Sequence, residues 1–164
     1  MLRVEDAVMK AHQYAKASGA TWFEQPPQGI VDRGDYWFLP VGFIGSAGVI
    51  VDKATGRLSV MGSALSRDDM FWGYENGFSG ETSTLRITSV YDMTKAVEFL
   101  FYAVSGGPGS TRDPHPRRAW LEEKLSDLPQ EFQHQSLWLR IPAFRQVREE
   151  SRWFEFEVLT GSCR

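Results

Sequence analysis

The stretch 48–61 decides the fold class of this chain: Gly48-Val49-Ile50-Val51-Asp52-Lys53-Ala54-Thr55-Gly56-Arg57-Leu58-Ser59-Val60-Met61. Two runs rich in β-branched and apolar residues flank a polar turn that opens on Asp52 and closes on Gly56. An aspartate in first position caps its own turn through its carboxylate, and a glycine four residues on takes the left-handed conformation without steric cost. The spacing predicts a tight antiparallel hairpin with strands over 48–52 and 57–61.

Working outward, Val4, Ala7, Val8, Ala11, Tyr14 and Ala15 recur at helical spacing, so a helix is expected over 4–17 with Gly19 as its stop. A proline-containing loop over 25–29 separates it from an aromatic strand, Tyr36-Trp37-Phe38-Leu39, closed by Pro40. After the hairpin, Ser66 with Asp69 three residues on makes a capping-box pattern. The helix it opens carries Met70, Phe71, Tyr74 and Phe78 on its apolar side and ends at Gly77.

The second half starts afresh. The run 84–90 alternates as a half-buried strand, and Asp92 leads into a helix whose Met93, Val97, Leu100, Phe101 and Val104 share a face. A breaker-rich loop over 105–116 precedes a helix over 117–125 presenting Trp120, Leu121 and Leu125. Three strands are then expected, over 137–141, 144–148 and 153–159, the last two joined by a turn near 149–151. The fold class is therefore α+β: antiparallel sheets packed by helices, an α-β-β-β-α unit followed by a β-α-α-β-β-β extension. The division is expected at residue 80, with 81–164 packed on the first part as one compact unit.

The chain has 164 residues and a net charge of −3, and 42% of its residues are hydrophobic, enough for a packed core rather than a disordered chain. It carries 11 Phe, 6 Trp and 5 Tyr, which leaves aromatic side chains to spare for a recognition surface. No basic stripe of the kind that binds nucleic acid is visible. The balance shifts to acidic between Leu58 and Leu85, where Arg67 stands alone against Asp68, Asp69, Glu75 and Glu81. The lone cysteine, Cys163, excludes an internal disulfide framework. Residues 1–6 lack the basic-then-apolar pattern of a signal peptide, and no run approaches the ~20 apolar residues of a membrane span. A soluble, cytoplasmic protein is expected.

Catalytic patterns are sparse. His12, His115 and His134 lack metal-ligand spacing, there is no G-x-S-x-G elbow, and Cys163 sits next to the chain end. Gly106-Gly107-Pro108-Gly109 is interrupted by proline and followed by no Lys-Ser/Thr, so it is a loop rather than a phosphate cradle. Asp68, Asp69 and Glu75 could form a carboxylate cluster, but acidic residues in a first helical turn are explained by its positive end. No enzyme activity, metal or cofactor is expected.

Tyr36-Trp37-Phe38-Leu39, Val49-Ile50-Val51-Asp52-Lys53 with Thr55-Gly56, Gly62-Ser63-Ala64 and Tyr74-Glu75-Asn76-Gly77 follow one another in an order that resembles the immunity protein 35, or YrhB-like, family of bacterial polymorphic-toxin systems. In that family an N-terminal helix precedes an aromatic strand, an I-V-D-K-x-T-G hairpin, a G-T/S-A segment and a helix ending in Y-E-x-G. The resemblance covers roughly 4–78, and residues 80–164 depart from the pattern. It implies an antitoxin that binds a cognate toxin domain, in a 1:1 complex, and blocks it. The toxin's chemistry (nuclease, deaminase, protease or ADP-ribosylating enzyme) stays open. Neither nucleic acid nor membrane is an expected partner.

Such an inhibitor needs a rigid scaffold with a complementary face. The candidate contact residues are Asp32 and Asp35 before the aromatic strand, Asp68, Asp69, Trp72 and Glu75 on the capped helix, and Glu122 and Glu123 on the later one, with Trp72 expected to be exposed. A small-molecule-binding domain or a secretion chaperone, with an apolar pocket between sheet and helices, is the alternative.

Overall fold

The computed structural model describes residues 1–21, 29–40, 46–78, 82–105, 107 and 115–160. Residues 25–28, most of the loop 105–116 and Cys163 lie outside them. The chain is α+β, with two antiparallel sheets. It divides into two compact units, Met1–Met70 and Phe71–Arg164, a boundary that falls inside a helix rather than at residue 80. Among the described residues no helix is long and apolar enough to cross a membrane.

In the first unit, helix α1 (Val4–Ala17) precedes strands β1 (Val31–Asp32), β2 (Tyr36–Pro40), β3 (Ser46–Asp52) and β4 (Leu58–Gly62), which form a sheet in that order. Ala7, Ala11 and Ala15 are the fully buried stripe of α1, while Tyr14 stays largely exposed. Three small side chains on one face let the helix lie close to the sheet. Ala7 and Ala11 meet Leu39, Val49 and Val51, with Val8, Trp37, Leu58 and Val60 packed around them. The register sets Leu39 opposite Val49 and Trp37 opposite Val51, so these residues share one face of the sheet. Phe38 and Ile50 pair on the other face and are also fully buried. Gly48 makes room for that pair, since a Cβ there would stand 2.2 Å from the Phe38 ring.

The hairpin turn is built as its sequence requires. Asp52 Oδ1 accepts from Ala54 N at 3.0 Å, Thr55 N at 2.6 Å and Thr55 Oγ1 at 2.8 Å. Gly56 takes φ 70° and donates its N–H to the Asp52 carbonyl at 2.9 Å. Helix α2 (Arg67–Glu75) opens on the Ser66 cap: Asp69 N donates to Ser66 Oγ at 3.1 Å, and that hydroxyl donates to Asp69 Oδ2 at 2.6 Å. Gly77, at φ 84°, follows its end.

The second unit takes in the rest of α2, then β5 (Ser83–Val90), α3 (Met93–Ala103), α4 (His115–Leu125), β6 (Gln130–Gln135), α5 (Ile141–Gln146) and β7 (Phe154–Thr160). Its sheet has the order β6-β5-β7. Leu85, Ile87, Phe132, Phe154 and Phe156 are buried with Val97, Leu100 and Phe101 of α3, Leu121 and Leu125 of α4, and Ile141 and Phe144 of α5. Phe78, Phe144 and Phe156 meet with ring centroids 5.0, 5.4 and 6.3 Å apart. Aromatic pairs at such separations contribute about 0.5–1.5 kcal/mol each beyond the area they bury.

Two expected strands are helical instead. Residues 138–151 run from a 3₁₀ turn (Trp138–Arg140) through α5 into a π-helical turn (Val147–Ser151). Leu137, Ile141, Phe144 and Val147 are the buried positions, a spacing of four, three and three that belongs to a helix. The apparent alternation Leu137, Leu139, Ile141 misleads because Leu139 points outward. The turn expected near 149–151 is thus the end of a helical run, closed by Arg152 at φ 48°. Strand β6 is not expected from its sequence, Gln-Glu-Phe-Gln-His-Gln, because Phe132 is its one apolar residue.

Candidate interaction surface

Asp92 caps α3 by accepting from Lys95 N at 3.0 Å, and this bond holds its carboxyl below the ordinary aspartate range. Both Tyr91 N (2.8 Å) and Asp92 N (3.0 Å) donate to the Trp153 carbonyl, which fixes Trp153 beside the start of α3. With Val97, Leu100 and Phe101 turned inward, Lys95, Glu98, Phe99 and Tyr102 fall along the outer side of the helix.

A groove of about 310 Å³ lies there, walled by Phe99, Tyr102 and Trp153 and rimmed by Lys95, Glu98 and Arg140. Its floor is rigid: Phe99 sits edge-on to Phe144 at 5.0 Å and tilted against Phe154 at 5.4 Å. Lys95 Nζ stands 5.7 Å from the Trp153 ring centroid and 3.4 Å from Asp92 Oδ2. Beyond Tyr102 and Arg140 a second depression of about 360 Å³ continues past Ser105, Gln135 and Leu139. The buried Gln135 amide accepts from Ser105 Oγ at 2.9 Å and so holds that end in shape. Tyr102 and Leu139 leave 60% and 56% of their surfaces in solvent, an exposed apolar pair flanking rigid aromatic walls.

The residues expected to contact a partner lie elsewhere. Asp32 and Asp35 serve the first unit itself. Asp32 accepts from the buried Lys53 ammonium and from Gly34 N at 2.8 Å, and these two bonds, the first the stronger, hold its pKa below the ordinary aspartate range. The Asp35 carbonyl accepts from Lys53 N at 2.9 Å. Lys53 in turn covers the Trp37 ring at 4.1 Å, and the Trp37 indole donates to the Leu2 carbonyl at 3.0 Å. Asp68 and Asp69 occupy the first turn of α2, where Asp69 completes the cap. Glu75, Glu122 and Glu123 are exposed on α2 and α4. None of these acidic residues lines the α3 groove.

Trp72 is a correction. It is half-buried, 5.7 Å from the Phe78 ring and 5.6 Å from the Arg148 guanidinium. A tryptophan off a short helix's main stripe still packs when a later segment folds over it. The groove residues carried a signal of their own: Phe99 and Tyr102 are aromatic yet lie off the buried stripe of α3.

Arg148 marks a second feature of this unit. Its guanidinium donates to Asn76 Oδ1 and to the Phe156 carbonyl at 2.8 Å, and lies 4.2 Å from the Phe156 ring centroid. Burial pushes the guanidinium's pKa down. No carboxylate pairs with it among the described residues.

Among the described residues no group of three or more His, Cys, Asp or Glu side chains is placed to hold a metal ion. His12 is on α1, His115 opens α4 and His134 lies in β6. Compared with known proteins, the chain matches no family model, no curated protein and no solved structure.

Proposed function

We propose that this protein is an immunity protein, which neutralises a cognate toxin domain by binding it stoichiometrically, without a catalytic step of its own. The observation that carries the reading is the aromatic groove beside α3. Protein interfaces are enriched in Tyr, Trp, Phe and Arg at their centres, and a few such anchors supply most of the binding energy. Tyr102, Trp153, Phe99 and Arg140 are residues of that kind, and the Phe99 ring is packed against Phe144, Phe154 and Trp153. The YrhB-like motif order over residues 36–77, which runs from the first unit into the start of the second, supports the same reading, with its Asp52–Gly56 turn and its Lys53 as scaffold rather than contact. A toxin complex on the order of 1,600 Å² would reach well beyond the groove.

The test is co-expression. The product of the neighbouring upstream gene should arrest growth of a sensitive host, and this protein should relieve the arrest and co-elute with that product. Arrest that persists, with no complex formed, sinks the reading. Tyr102→Ala should weaken the complex about tenfold or more while leaving the melting temperature unchanged, because the ring is mostly in solvent. Unaltered affinity moves the interface away from the groove.

A second reading rests on the groove's size. At about 310 Å³ it lies at the lower end of small-ligand sites, roughly 300–1,000 Å³. A ligand bound there raises the melting temperature in proportion to its concentration over its Kd, with no protein partner present.

A further inference from the structure

We propose that the groove beside Arg148 is a carboxylate-recognition site, a reading that goes beyond toxin inhibition and does not depend on it. The groove holds about 490 Å³ and is walled by Thr88, Arg148, Arg152, Phe156 and the two glutamates Glu155 and Glu157. Arg148 is positioned by neutral groups alone, the Asn76 amide oxygen and the Phe156 carbonyl, with the Phe156 and Trp72 rings beneath it. A guanidinium has more N–H donors than these two acceptors use, and its planar fork matches a carboxylate bidentately. The charge is half-buried and uncompensated by any acid among the described residues, the situation in which an incoming anion gains most.

Three departures from regular backbone border this groove. The π-helical turn Val147–Ser151 carries Arg148, and Arg152 follows it in the left-handed region at φ 48°. Opposite, the pairing of β5 with β7 slips between Ile87 and Ser89, which places Thr88 on the groove wall. Bulges, π turns and left-handed non-glycine residues are costly and gather at functional sites. Arg152, exposed, supplies a second cation on the same wall.

The acidic residues present define the ligand's charge. Glu157 is engaged by Arg86 at 3.4 Å, and Glu155 lies near the Tyr91 hydroxyl and pushes that phenol's pKa up. Neither pairs with Arg148, yet both stay within the groove and repel a second negative charge. A monovalent carboxylate therefore suits the site better than a dianionic phosphate. It comes from an acidic side chain of a protein partner or from a small carboxylic acid.

The test reads the arginine Nε–H signals of the intact wild-type protein while sodium acetate replaces sodium chloride at constant ionic strength. Arg148 should shift saturably and Arg152 less, while arginines of the first unit stay still. Arg148→Lys keeps the charge without the fork and should weaken acetate binding at least about tenfold. Arg152→Gly suits the left-handed backbone, so it keeps the fold, and should weaken binding by a few-fold. A Gly-Glu-Gly peptide capped at both ends that binds at least about tenfold tighter than acetate assigns the source to a protein segment, and equal binding assigns it to small acids. A shift that is linear and shared by all arginines overturns the proposal, as does inorganic phosphate binding more tightly than acetate.

Discussion

Lys53 in the first unit and Arg148 in the second are both cations drawn down onto aromatic rings, Lys53 over Trp37 at 4.1 Å and Arg148 over Phe156 at 4.2 Å. Their surroundings differ. Lys53 is closed off by the Asp32 carboxylate, and its backbone ties Leu2 and Asp35 to the hairpin. Arg148 is held by an amide and a carbonyl, and it opens onto a groove. Of the two, only Lys53 has its charge matched by a carboxylate among the described residues. The groove beside α3 and the groove beside Arg148 both lie in the second unit.

The largest effect is expected from disturbing the seat of Arg148. Gly77 sits next to Asn76, at φ 84°, where a Cβ would stand 2.7 Å from the Val158 carbonyl oxygen. Gly77→Ala should cost about 2–4 kcal/mol from strain and the clash with β7 backbone, seen as a lower denaturation midpoint of the second unit. It should also broaden the Arg148 side-chain signal, because Asn76 can no longer hold it. An unchanged midpoint would mean that α2 shifts freely and that Arg148 is not tightly seated.

A smaller effect is expected on the matched side. Lys53→Met keeps the stem over Trp37 and removes the charge, and Asp32, 53% exposed, then turns to water. The loss should be within about 1 kcal/mol, as for other ion pairs with one solvated partner. A much larger loss in urea unfolding would make the ion pair, rather than packing, the scaffold's main element.

The smallest effect is in pH. The folded state lowers the Asp32 pKa below the ordinary 3.8, so the contribution of this group is present above that value and is lost as pH falls through the lower, folded value. Asp32→Asn should therefore flatten the acid limb of the first unit's stability curve, and should leave neutral-pH carboxylate binding at Arg148 untouched. An acid limb identical in the variant would remove Asp32 from the account.

Local chemistry was legible from local sequence. Asp52 and Gly56 announce their turn because a carboxylate and a missing Cβ act within four residues, and Ser66 with Asp69 announces its cap for the same reason. The run 137–151 was misread because Leu137, Leu139 and Ile141 satisfy a period of two as well as the helical one, and only packing against the sheet shows which residues go inside. β6 was silent because an edge strand with one apolar residue needs its neighbour's backbone more than a hydrophobic face. The roles of Asp32 and Asp69 within the fold were hidden for a related reason. Acidic residues stand out in a sequence, but a carboxylate consumed by Lys53 or by a helix cap reads no differently from a free one.

By itself the sequence determined the α+β class, the hairpin with its turn, the capped start of α2 and the amphipathic helices, since each follows from interactions between residues a few positions apart. Tertiary structure alone decided that Trp72 and Arg148 meet across more than seventy residues, that Phe99 and Tyr102 wall a groove with Trp153, and that one cation is matched while the other is not. Those outcomes depend on which distant side chains share a volume, and the burial of aromatic surface, which has no direction along the chain, settles that only when the whole unit folds.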